Sequence, residues 1–222
     1  MTRMKWSFGN VNVHWLGHDS FVLQGSKVVV IDPFQATGNY KADILLISHE
    51  HYDHLSPDDI KKFASPTTRV IAAKVCEPEL SKLKLDVTYV TPNSKVQVGG
   101  VTVETVPAYN LNKFREPGKV FHPKEDGRVG FIVTMDGVRF YHAGDTDAIP
   151  EMKSMKVDVA LLPVSGTYVM TAEEAAEAAG WLKCRVVVPM HWGSIVGSRA
   201  DAEKFKKLMG SRPEVVILEK EA

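Results

Sequence analysis

Residues 48–56 read Ser-His-Glu-His-Tyr-Asp-His-Leu-Ser and place three histidines and an aspartate within six positions. The stretch directly follows an apolar run, residues 44–47, which predicts a buried strand. His49 and His51 are alternate residues, so an extended backbone points their side chains the same way, and one metal ion can bind both. The position four after His49 is Asp53, so the His-Glu-x-x-His pattern of metalloproteases is not present here.

Asp53 and His54 stand where the chain turns toward a predicted helix start at Ser56-Pro57. They can therefore reach a second metal ion on the other side of a shared water. Imidazole nitrogen together with carboxylate oxygen suits zinc first, and manganese or iron if more oxygen ligands join. The stretch thus predicts a centre with one or two Zn2+ ions, with Mn2+ or Fe2+ as alternatives.

Two later segments add candidate ligands at the ends of apolar runs. Residues 141–146, Tyr-His-Ala-Gly-Asp-Thr, form a small-residue turn that exposes Asp145, whose two oxygens could bridge two cations. Residues 187–193, Val-Val-Pro-Met-His-Trp-Gly, place His191 just past another strand. A histidine of this kind taken singly is more often a core or loop residue, but together with residues 48–56 it is predicted to be a ligand.

Short runs rich in valine and isoleucine recur along the chain and predict strands. The predicted strands are residues 11–15, 21–23, 28–31, 44–47, 69–72, 87–90, 96–98, 101–106, 131–135, 138–141, 159–162, 186–188 and 215–218. Asp136-Gly137 between two alternating runs predicts a two-residue hairpin turn. Capping signals predict three helices that end near residues 64, 183 and 209. The scheme of the first half repeats from Val96, which predicts two packed sheets with helices outside.

The composition predicts one compact domain over residues 1–222. The 27 Lys and Arg balance the 27 Asp and Glu, so binding of nucleic acid or an anionic membrane surface would need a local patch. Apolar runs are too short to cross a bilayer and the first residues lack a signal-peptide pattern, so we expect a cytoplasmic protein. Cys76 and Cys184 lie in dissimilar contexts and are predicted to be free thiols.

Residues 110–128 fit neither the helical nor the strand period. They carry five Lys or Arg against three acidic residues, together with His122. Long irregular connections inside a compact domain are usually functional or mobile. The segment is therefore predicted to be either a functional loop or a solvated surface loop.

These motifs resemble those of the metallo-β-lactamase superfamily of hydrolases. The resemblance rests on His-x-His-x-Asp-His at 49–54, Gly-Asp-Thr at 144–146 and the strand-end His191, and it covers nearly the whole chain. Residues 15–21, Trp-Leu-Gly-His-Asp-Ser-Phe, and 32–34, Asp-Pro-Phe, are similar to the branch of ascorbate-6-phosphate lactonase-like and related metal-dependent hydrolases. The resemblance to the superfamily implies an α+β fold, which is a four-layer αββα sandwich of two mixed sheets flanked by helices. It also implies a metal site at one edge, between the sheets.

The resemblance also implies a set of metal ligands. They are His49 and His51 for a first ion, Asp53, His54 and His191 for a second, and Asp145 as the bridge. The superfamily usually has a further histidine where this chain has Asn110, and an amide oxygen is a poorer ligand than imidazole. The first site is therefore weaker, empty, or completed by His122 from the irregular segment.

Other residues are predicted to act around the metal. The predicted catalytic residues are Asp53, His18 and His122. The predicted substrate contacts are Asn110, Lys113, His122 and His142. His18 and His142 are expected to line the pocket or to orient ligands.

The predicted activity is hydrolysis, with a metal-bound hydroxide attacking an ester, lactone or phosphodiester bond. The substrate is expected to be a small anionic metabolite, because residues 110–128 carry Lys113, Arg115, Lys119 and Lys124. No nucleic-acid or membrane partner is expected, and a homo-oligomer is compatible with the sequence. Two alternatives remain open: a protein of this fold that binds metal without catalysis, and a hydrolase that processes nucleic acid.

Overall fold

The first of two large sheets is built from the N-terminal half of the chain. The computed structural model describes residues 6–211 and 213–221. The strands of the first sheet, in spatial and chain order, are β1 (Trp6–Phe8), β2 (Val11–Gly17), β3 (Ser20–Gln24), β4 (Val28–Ile31), β5 (Ile44–Ile47), β6 (Arg69–Ala73) and β7 (Val87–Val90). Neighbours from β1 to β4 are antiparallel, and those from β4 to β7 are parallel.

The second sheet repeats this arrangement. Its strands, in spatial order, are β8 (Lys95–Val98), β9 (Val101–Pro107), β12 (Val129–Met135), β13 (Val138–His142), β14 (Val159–Pro163), β15 (Val186–Met190) and β16 (Glu214–Val215). Neighbours up to β13 are antiparallel, and those beyond it are parallel. A separate small hairpin of β10 (Phe114–Glu116) and β11 (Lys119–Val120) lies inside the segment predicted to be irregular.

The four α-helices in the described residues are α1 (Pro57–Phe63), α2 (Glu77–Leu80), α3 (Ala172–Trp181) and α4 (Arg199–Met209). Three of them, α1, α3 and α4, begin at capping signals of the sequence. The Ser56 side chain accepts a hydrogen bond from the backbone N–H of Asp59, and Thr171 and Glu174 form a reciprocal capping box. The three predicted helices are confirmed. The single-turn α2 and the three-residue β1 are too short to show a period, and both escaped prediction.

Side chains of both sheets join one hydrophobic core. Every residue of β5, β14 and β15 is buried, as expected for parallel strands that are covered on both faces. Helices α3 and α4 pack against β14 and β15, and Ile60 and Phe63 anchor α1 in the core. The predicted α+β fold of two mixed sheets flanked by helices is confirmed. No helix in the described part of the chain has the length and apolar character of a membrane span.

The last predicted strand, residues 215–218, is wrong beyond Val215. The Val216 N–H still donates to Val187 O at 3.0 Å, after which the chain leaves the sheet. Glu221 N–H then donates to Trp15 O of the first sheet at 2.8 Å, and residues 216–218 are partly buried against the core that both sheets share.

The predicted metal ligands follow the ends of three strands. β5 ends at Ile47, β13 at His142 and β15 at Met190, and the first predicted ligands after them are His49, Asp145 and His191. β13, β14 and β15 are parallel, so their carboxyl ends share one edge of the second sheet. The Val129 N–H donates to Ser48 O at 3.2 Å and ties this edge to the motif that follows β5.

Gly144 allows the turn after β13 to approach that motif. Its φ is +63°, and a Cβ atom there would lie 3.0 Å from Val129 O and 3.4 Å from Ser48 Cβ. A side chain would therefore clash and strain the backbone. The glycine thus lets Asp145 enter the space between the two sheets.

Candidate metal centre

A first group of ligand atoms gathers around His51. Its members are His49, His51, His122 and Asp145, whose ligand atoms all lie within 4.8 Å of one another. The Nδ1 atom of His51 lies 3.1 Å from His49 Nε2 and 3.3 Å from His122 Nε2. The Oδ2 atom of Asp145 is 3.6 Å from His122 Nε2 and 3.9 Å from His49 Nε2. The group offers three imidazoles and one carboxylate, which suits zinc.

A second group lies on the other side of Asp145. The Oδ1 atom of Asp145 is 3.2 Å from His54 Nε2 and 3.3 Å from His191 Nε2. Further candidate ligands adjoin these histidines: His18 and Asp53 on one side, and Asp19 on another. The two oxygens of Asp145 therefore face different groups, which is the arrangement that a carboxylate bridging two cations requires.

Unpaired buried atoms mark the second group as a cation site. His54 Nε2, His191 Nε2 and Asp145 Oδ1 are buried and have no hydrogen-bond partner within the described residues. Leaving one buried polar group unpaired costs about 1–3 kcal/mol, so three at one point are expected only where something else satisfies them. A divalent cation accepts all three as ligands, and the residues present therefore fit a metal ion.

The remaining ring nitrogens hold the histidines in orientation. The Nδ1 atoms lie near side-chain oxygens as follows: His49 to Ser48 Oγ at 3.0 Å, His54 to Asp32 Oδ2 at 2.8 Å, His122 to Asn110 Oδ1 at 2.9 Å and His191 to Ser165 Oγ at 2.9 Å. Each contact leaves Nε2 facing the centre. Histidines that bind metal commonly donate their second ring N–H in this way, which fixes the ring and its tautomer.

Electrostatics separates the two groups. Burial alone lowers histidine pKa values, but nearby carboxylates outweigh it at the second group: Asp145 and Asp19 raise the pKa of His191 to about 9, and Asp145 with Asp32 raises that of His54 well above its usual value. Burial would raise the pKa of Asp145, but His191 and His54 hold it well below its ordinary range. In the metal-free protein, protons on the two histidines thus balance the bridging carboxylate.

The first group carries no such protons. Burial lowers the pKa of His122 to about 4 and that of His49 well below its usual value. Burial and the Arg128 cation also lower the pKa of His51. These three imidazoles are neutral at pH 7 and ready to bind a metal ion.

Two histidines at the centre have a left-handed backbone. The φ values are +53° for His18 and +59° for His191, a region that costs about 1–3 kcal/mol for a residue other than glycine. The His191 N–H donates to His18 O at 3.2 Å, and the two rings lie 4.2 Å apart. Such a strained backbone persists only where surrounding contacts fix it. Here the left-handed conformation places the rings of both histidines beside the second group.

Asp53 and His18, both predicted to be catalytic, form a pair. His18 Nε2 lies 3.1 Å from Asp53 Oδ2, and Asp53 Oδ2 lies 3.7 Å from His54 Nε2. Burial would raise the pKa of Asp53, but the His18 hydrogen bond and the charge of His54 lower it to about 2. Asp53 is therefore an ionised carboxylate beside the second group, and its catalytic role stays a prediction.

Asn110 contacts the candidate ligand His122, and its role as a substrate contact stays a prediction. Its Oδ1 accepts hydrogen bonds from the backbone N–H and the ring Nδ1 of His122, each at 2.9 Å. Its Nδ2 donates to Tyr168 O at 2.8 Å and to Asp147 Oδ1 at 3.2 Å. With both ends of the amide engaged, Asn110 positions His122, which occupies the first group.

Lys113 and His142 also have partners within the protein, and their roles as substrate contacts stay predictions. The Lys113 ammonium lies 2.7 Å from Glu174 and 3.3 Å from Asp147, so its charge is neutralised within the protein. His142 Nε2 donates to Asp19 O at 2.8 Å, and its Nδ1 accepts the Gly144 N–H at 3.3 Å. The polar atoms of both side chains thus have partners within the protein.

Several supporting residues escaped prediction. They are Asp19, Asp32, Arg128 and Ser165. Arg128 is buried and donates from Nε to Glu50 Oε2 at 3.1 Å and from a terminal nitrogen to Asp126 at 2.8 Å, which anchors the loop of His49 and His51. The sequence signal that could have indicated Arg128 is a charged residue directly before an apolar strand. The signal for Asp32 is the Asp-Pro pair that directly follows β4.

Replacing Asn110 by alanine is expected to weaken the first metal site about 10–100-fold, the usual cost of losing a group that orients a ligand. The variant removes two hydrogen bonds to His122 and leaves the second group unchanged. Competition with a chromophoric chelator measures both affinities. Asn112→Ala is the matched control, because Asn112 Nδ2 bonds the surface residue Glu174. Equal first-site affinities in the two variants would contradict the role given to Asn110.

Comparison with known proteins places this site in a family. Residues 12–191 match the model described as a beta-lactamase superfamily domain. The UPF0173 metal-dependent hydrolase of Thermococcus onnurineus is 36% identical over 230 residues, which cover 94% of this chain and 96% of the relative. A UPF0173 metal-dependent hydrolase of Archaeoglobus fulgidus is also 36% identical, over 229 residues, with the same coverage of 94% and 96%.

Solved structures agree with these relatives. A candidate metal-dependent hydrolase from Parabacteroides distasonis superposes with a TM-score of 0.84 at 31% identity, covering 96% of this chain and 97% of that one. Igni18, a metallo hydrolase from Ignicoccus hospitalis, has the same fold, with a TM-score of 0.78 at 23% identity and 95% of each chain covered. The chain therefore belongs to the metallo-β-lactamase superfamily of hydrolases, and within it to the UPF0173 family of metal-dependent hydrolases.

Proposed function

We propose that the protein hydrolyses an ester or lactone bond of a small molecule, using two divalent cations held on either side of Asp145. The observation that carries this proposal is the division of the Asp145 carboxylate, with Oδ2 facing one histidine group and Oδ1 facing the other. His49, His51 and His122 would hold the first ion, and His54, His191 and Asp53 would hold the second. Zinc is the proposed ion, with manganese or iron as alternatives at the second site.

Bound cations of this kind supply Lewis acidity, which makes water a stronger acid and polarises a carbonyl group. The residues of the chain supply orientation. Asp53 stays ionised at neutral pH, because its pKa is lowered to about 2. Its carboxylate can accept a hydrogen bond from an attacking water while Oδ2 also bonds His18 Nε2. The Asp53 side chain is also 14% exposed, whereas His54 beside it is fully buried, so Asp53 lies on the solvent side of the second group.

The charges of the 110–128 segment support a substrate with little negative charge. The expectation of an anionic substrate rested on its cations, and three of them are paired inside the protein: Lys113 with Glu174, Lys119 with Glu116 and Lys124 with Glu151. Arg115 forms no ion pair within the described residues, so attraction for anions is left to it and to the cations of the centre. A neutral or singly charged ester matches this balance better than a phosphorylated compound.

Aromatic side chains near the centre support an apolar portion in the substrate. Tyr52, between His51 and Asp53, is 65% exposed, and its ring packs against Phe34. Tyr168, whose carbonyl accepts from Asn110, is 38% exposed and packs against Phe121 beside His122. Exposed aromatic rings beside a polar site are common in pockets that bind small molecules.

Turnover assays test the proposal. Metal-loaded protein should cleave aryl esters and lactones faster than bis(p-nitrophenyl) phosphate, and a chelator or His51→Ala should abolish this activity. His14→Ala is the matched control, because His14 lies outside the two groups and contacts Tyr40 and Glu221. Activity confined to phosphodiesters, or unchanged in His51→Ala, would refute the proposed chemistry. Metal binding without turnover on any substrate would favour a non-catalytic metal protein.

A further inference from the structure

Asp19 is a carboxylate without a partner. The residue is fully buried, and neither of its side-chain oxygens forms a hydrogen bond with any part of the chain that the structure describes. A buried carboxyl group without a hydrogen-bond partner costs free energy in either protonation state, so such groups are usually paired or bound to metal. Nothing in the proposed hydrolysis uses Asp19, and its position therefore requires a separate explanation.

A tight turn fixes where Asp19 points. The residue lies with His18 in the two-residue connection between β2 and β3, where Gly17 pairs with Ser20. His142 donates from Nε2 to the Asp19 carbonyl at 2.8 Å, which holds the backbone of this turn from the opposite sheet. The position of the Asp19 carboxylate is thus set by contacts of the Asp19 backbone. The carboxylate oxygens themselves form no hydrogen bond within the described residues.

The free oxygens of Asp19 meet the other unpaired atoms of the second group. Asp19 Oδ2 lies 3.8 Å from His54 Nε2, and ligand atoms of Asp19, His54, Asp145 and His191 all lie within 4.8 Å of one another. His54 Nε2, His191 Nε2 and Asp145 Oδ1 have no hydrogen-bond partner in the described residues either. Unsatisfied atoms of these four residues therefore lie close together between the two sheets.

Asp53 does not have these properties. Its Oδ2 is bonded by His18, and its side chain is partly exposed to solvent. Asp53 and Asp19 reach His54 Nε2 at similar distances, 3.7 Å and 3.8 Å. One carboxylate is therefore satisfied without a metal ion, whereas the other is not.

We infer that Asp19 is a direct ligand of the second cation, in addition to His54, His191, Asp53 and the bridging Asp145. This inference rests on the proposed two-cation centre and adds to it a ligand that comes from the β2–β3 turn. It makes the two sites chemically unequal: the first has three imidazoles and a shared carboxylate, and the second has two imidazoles, a shared carboxylate and the carboxylates of Asp53 and Asp19. Oxygen-rich sites favour manganese and iron more than imidazole-rich sites do. The second site should therefore bind Mn2+ relatively better than the first.

Metal stoichiometry and affinity test the inference without an activity assay. Metal-free wild type, Asp19→Asn and the control Asp43→Asn are loaded separately with Zn2+ and Mn2+, and bound metal is measured by elemental analysis and chelator competition. Asp43 is a suitable control because it bonds Lys27 and the Val28 N–H, before β5 and at the other end of that strand from the motif. Wild type and Asp43→Asn should hold two ions. Asp19→Asn should keep one ion at unchanged affinity and bind the other at least about 100-fold more weakly, since even groups that only orient a ligand cost 10–100-fold.

The outcomes separate this inference from the proposed function. Two ions in Asp19→Asn, both at wild-type affinity, would overturn the inference and leave the two-cation centre intact. A wild type that binds no metal would overturn both. If wild type holds a single ion, its loss in Asp19→Asn but not in His51→Ala supports the inference, and the reverse pattern overturns it.

A measurement on the wild type covers the case in which Asp19→Asn does not fold. Anomalous diffraction from zinc-loaded crystals locates the ions directly. The inference expects a carboxylate oxygen of Asp19 at a bonding distance of about 2.0–2.2 Å from the second ion. An ion at His54 and His191 with both Asp19 oxygens well outside that distance would overturn it.

Discussion

Replacing Asp145 by asparagine should lower turnover about 1000-fold or more, because several kcal/mol of transition-state stabilisation are lost and each 1.4 kcal/mol is about tenfold in rate. Its two oxygens face the two histidine groups, so one substitution removes a charged ligand from both. Asparagine has nearly the same shape but one weak oxygen ligand and no charge. We expect both metal affinities to fall together, in contrast to Asn110→Ala, which affects only the first.

The control for Asp145→Asn is the same substitution at Asp158. Asp158 accepts the Arg139 N–H and precedes β14, whereas Asp145 follows the carboxyl end of the parallel strand β13. The two aspartates therefore lie at opposite ends of the same part of the sheet. Both variants should fold, as judged by thermal unfolding, and only Asp145→Asn should lose activity. Loss of one metal ion alone, or activity within tenfold of wild type, would contradict a bridging role.

The affinity of the metal-free protein for its second cation should rise steeply with pH. The pKa of His191 is raised to about 9 and that of His54 lies well above its usual value, so both rings are protonated at neutral pH. A metal ion binds only the neutral ring, and each released proton makes binding about tenfold tighter per pH unit. Release of the two histidine protons gives a rise of at least about 100-fold per unit between about pH 6 and 8, and the carboxyl group of the inferred ligand Asp19, whose pKa burial raises to about 8, adds to this rise. Above the pKa of each ring its contribution levels off.

The first site should show no such rise over the same range, because the pKa values of His49, His51 and His122 are lowered and these rings are already neutral. Titration calorimetry in buffers of different ionisation enthalpy counts the protons released by each ion. Asn110→Ala identifies which binding event belongs to the first site. Equal proton release at the two sites, or a second-site affinity that does not change with pH, would contradict this assignment of charge.

The ligands that the sequence predicts are those with local signals. His49, His51, Asp53 and His54 follow a recognisable buried strand, and His191 follows another, so strand ends alone indicated their common edge. His122 has no such signal. Its place in the first group depends on Asn110, which lies twelve positions earlier and is brought to it by tertiary structure.

The substrate contacts predicted for Lys113 and His142 stay predictions, and both side chains have protein partners that the sequence does not indicate. Lys113 and His142 have the right chemistry to contact a substrate, but other residues of the protein already use it. A sequence gives the donors and acceptors of a side chain, whereas the partners that occupy them appear only in three dimensions. Asp19 is the converse case, since an aspartate in a polar turn gives no indication that its carboxylate is buried and unpaired.

The fold was more predictable than the site because strand periodicity is a property of neighbouring residues. Buried runs such as residues 44–47 and 159–162 were assigned correctly, and the Asp136-Gly137 turn joins β12 and β13 as predicted. The segment after Val215 shows the limit: its apolar residues pack against the core, as their composition indicates, but they do not continue strand β16. Composition indicates burial without indicating which surface covers it.

Asn110 and His122 also tie together the two ends of the segment between them. The Asn110 N–H donates to His122 O at 2.8 Å, and the Asn110 side chain accepts both N–H groups of His122. Residues 111–121 consequently leave and rejoin the rest of the structure at the Asn110–His122 contact. The length of this segment therefore does not set the position of His122. Residues 111–113 contact Asp147, so insertions, deletions and new sequences are expected to leave the metal coordination constant only in the β10–β11 hairpin that follows them. The hairpin is therefore a place to engineer new substrate preferences, because it lies near the metal centre and supplies none of the candidate ligands.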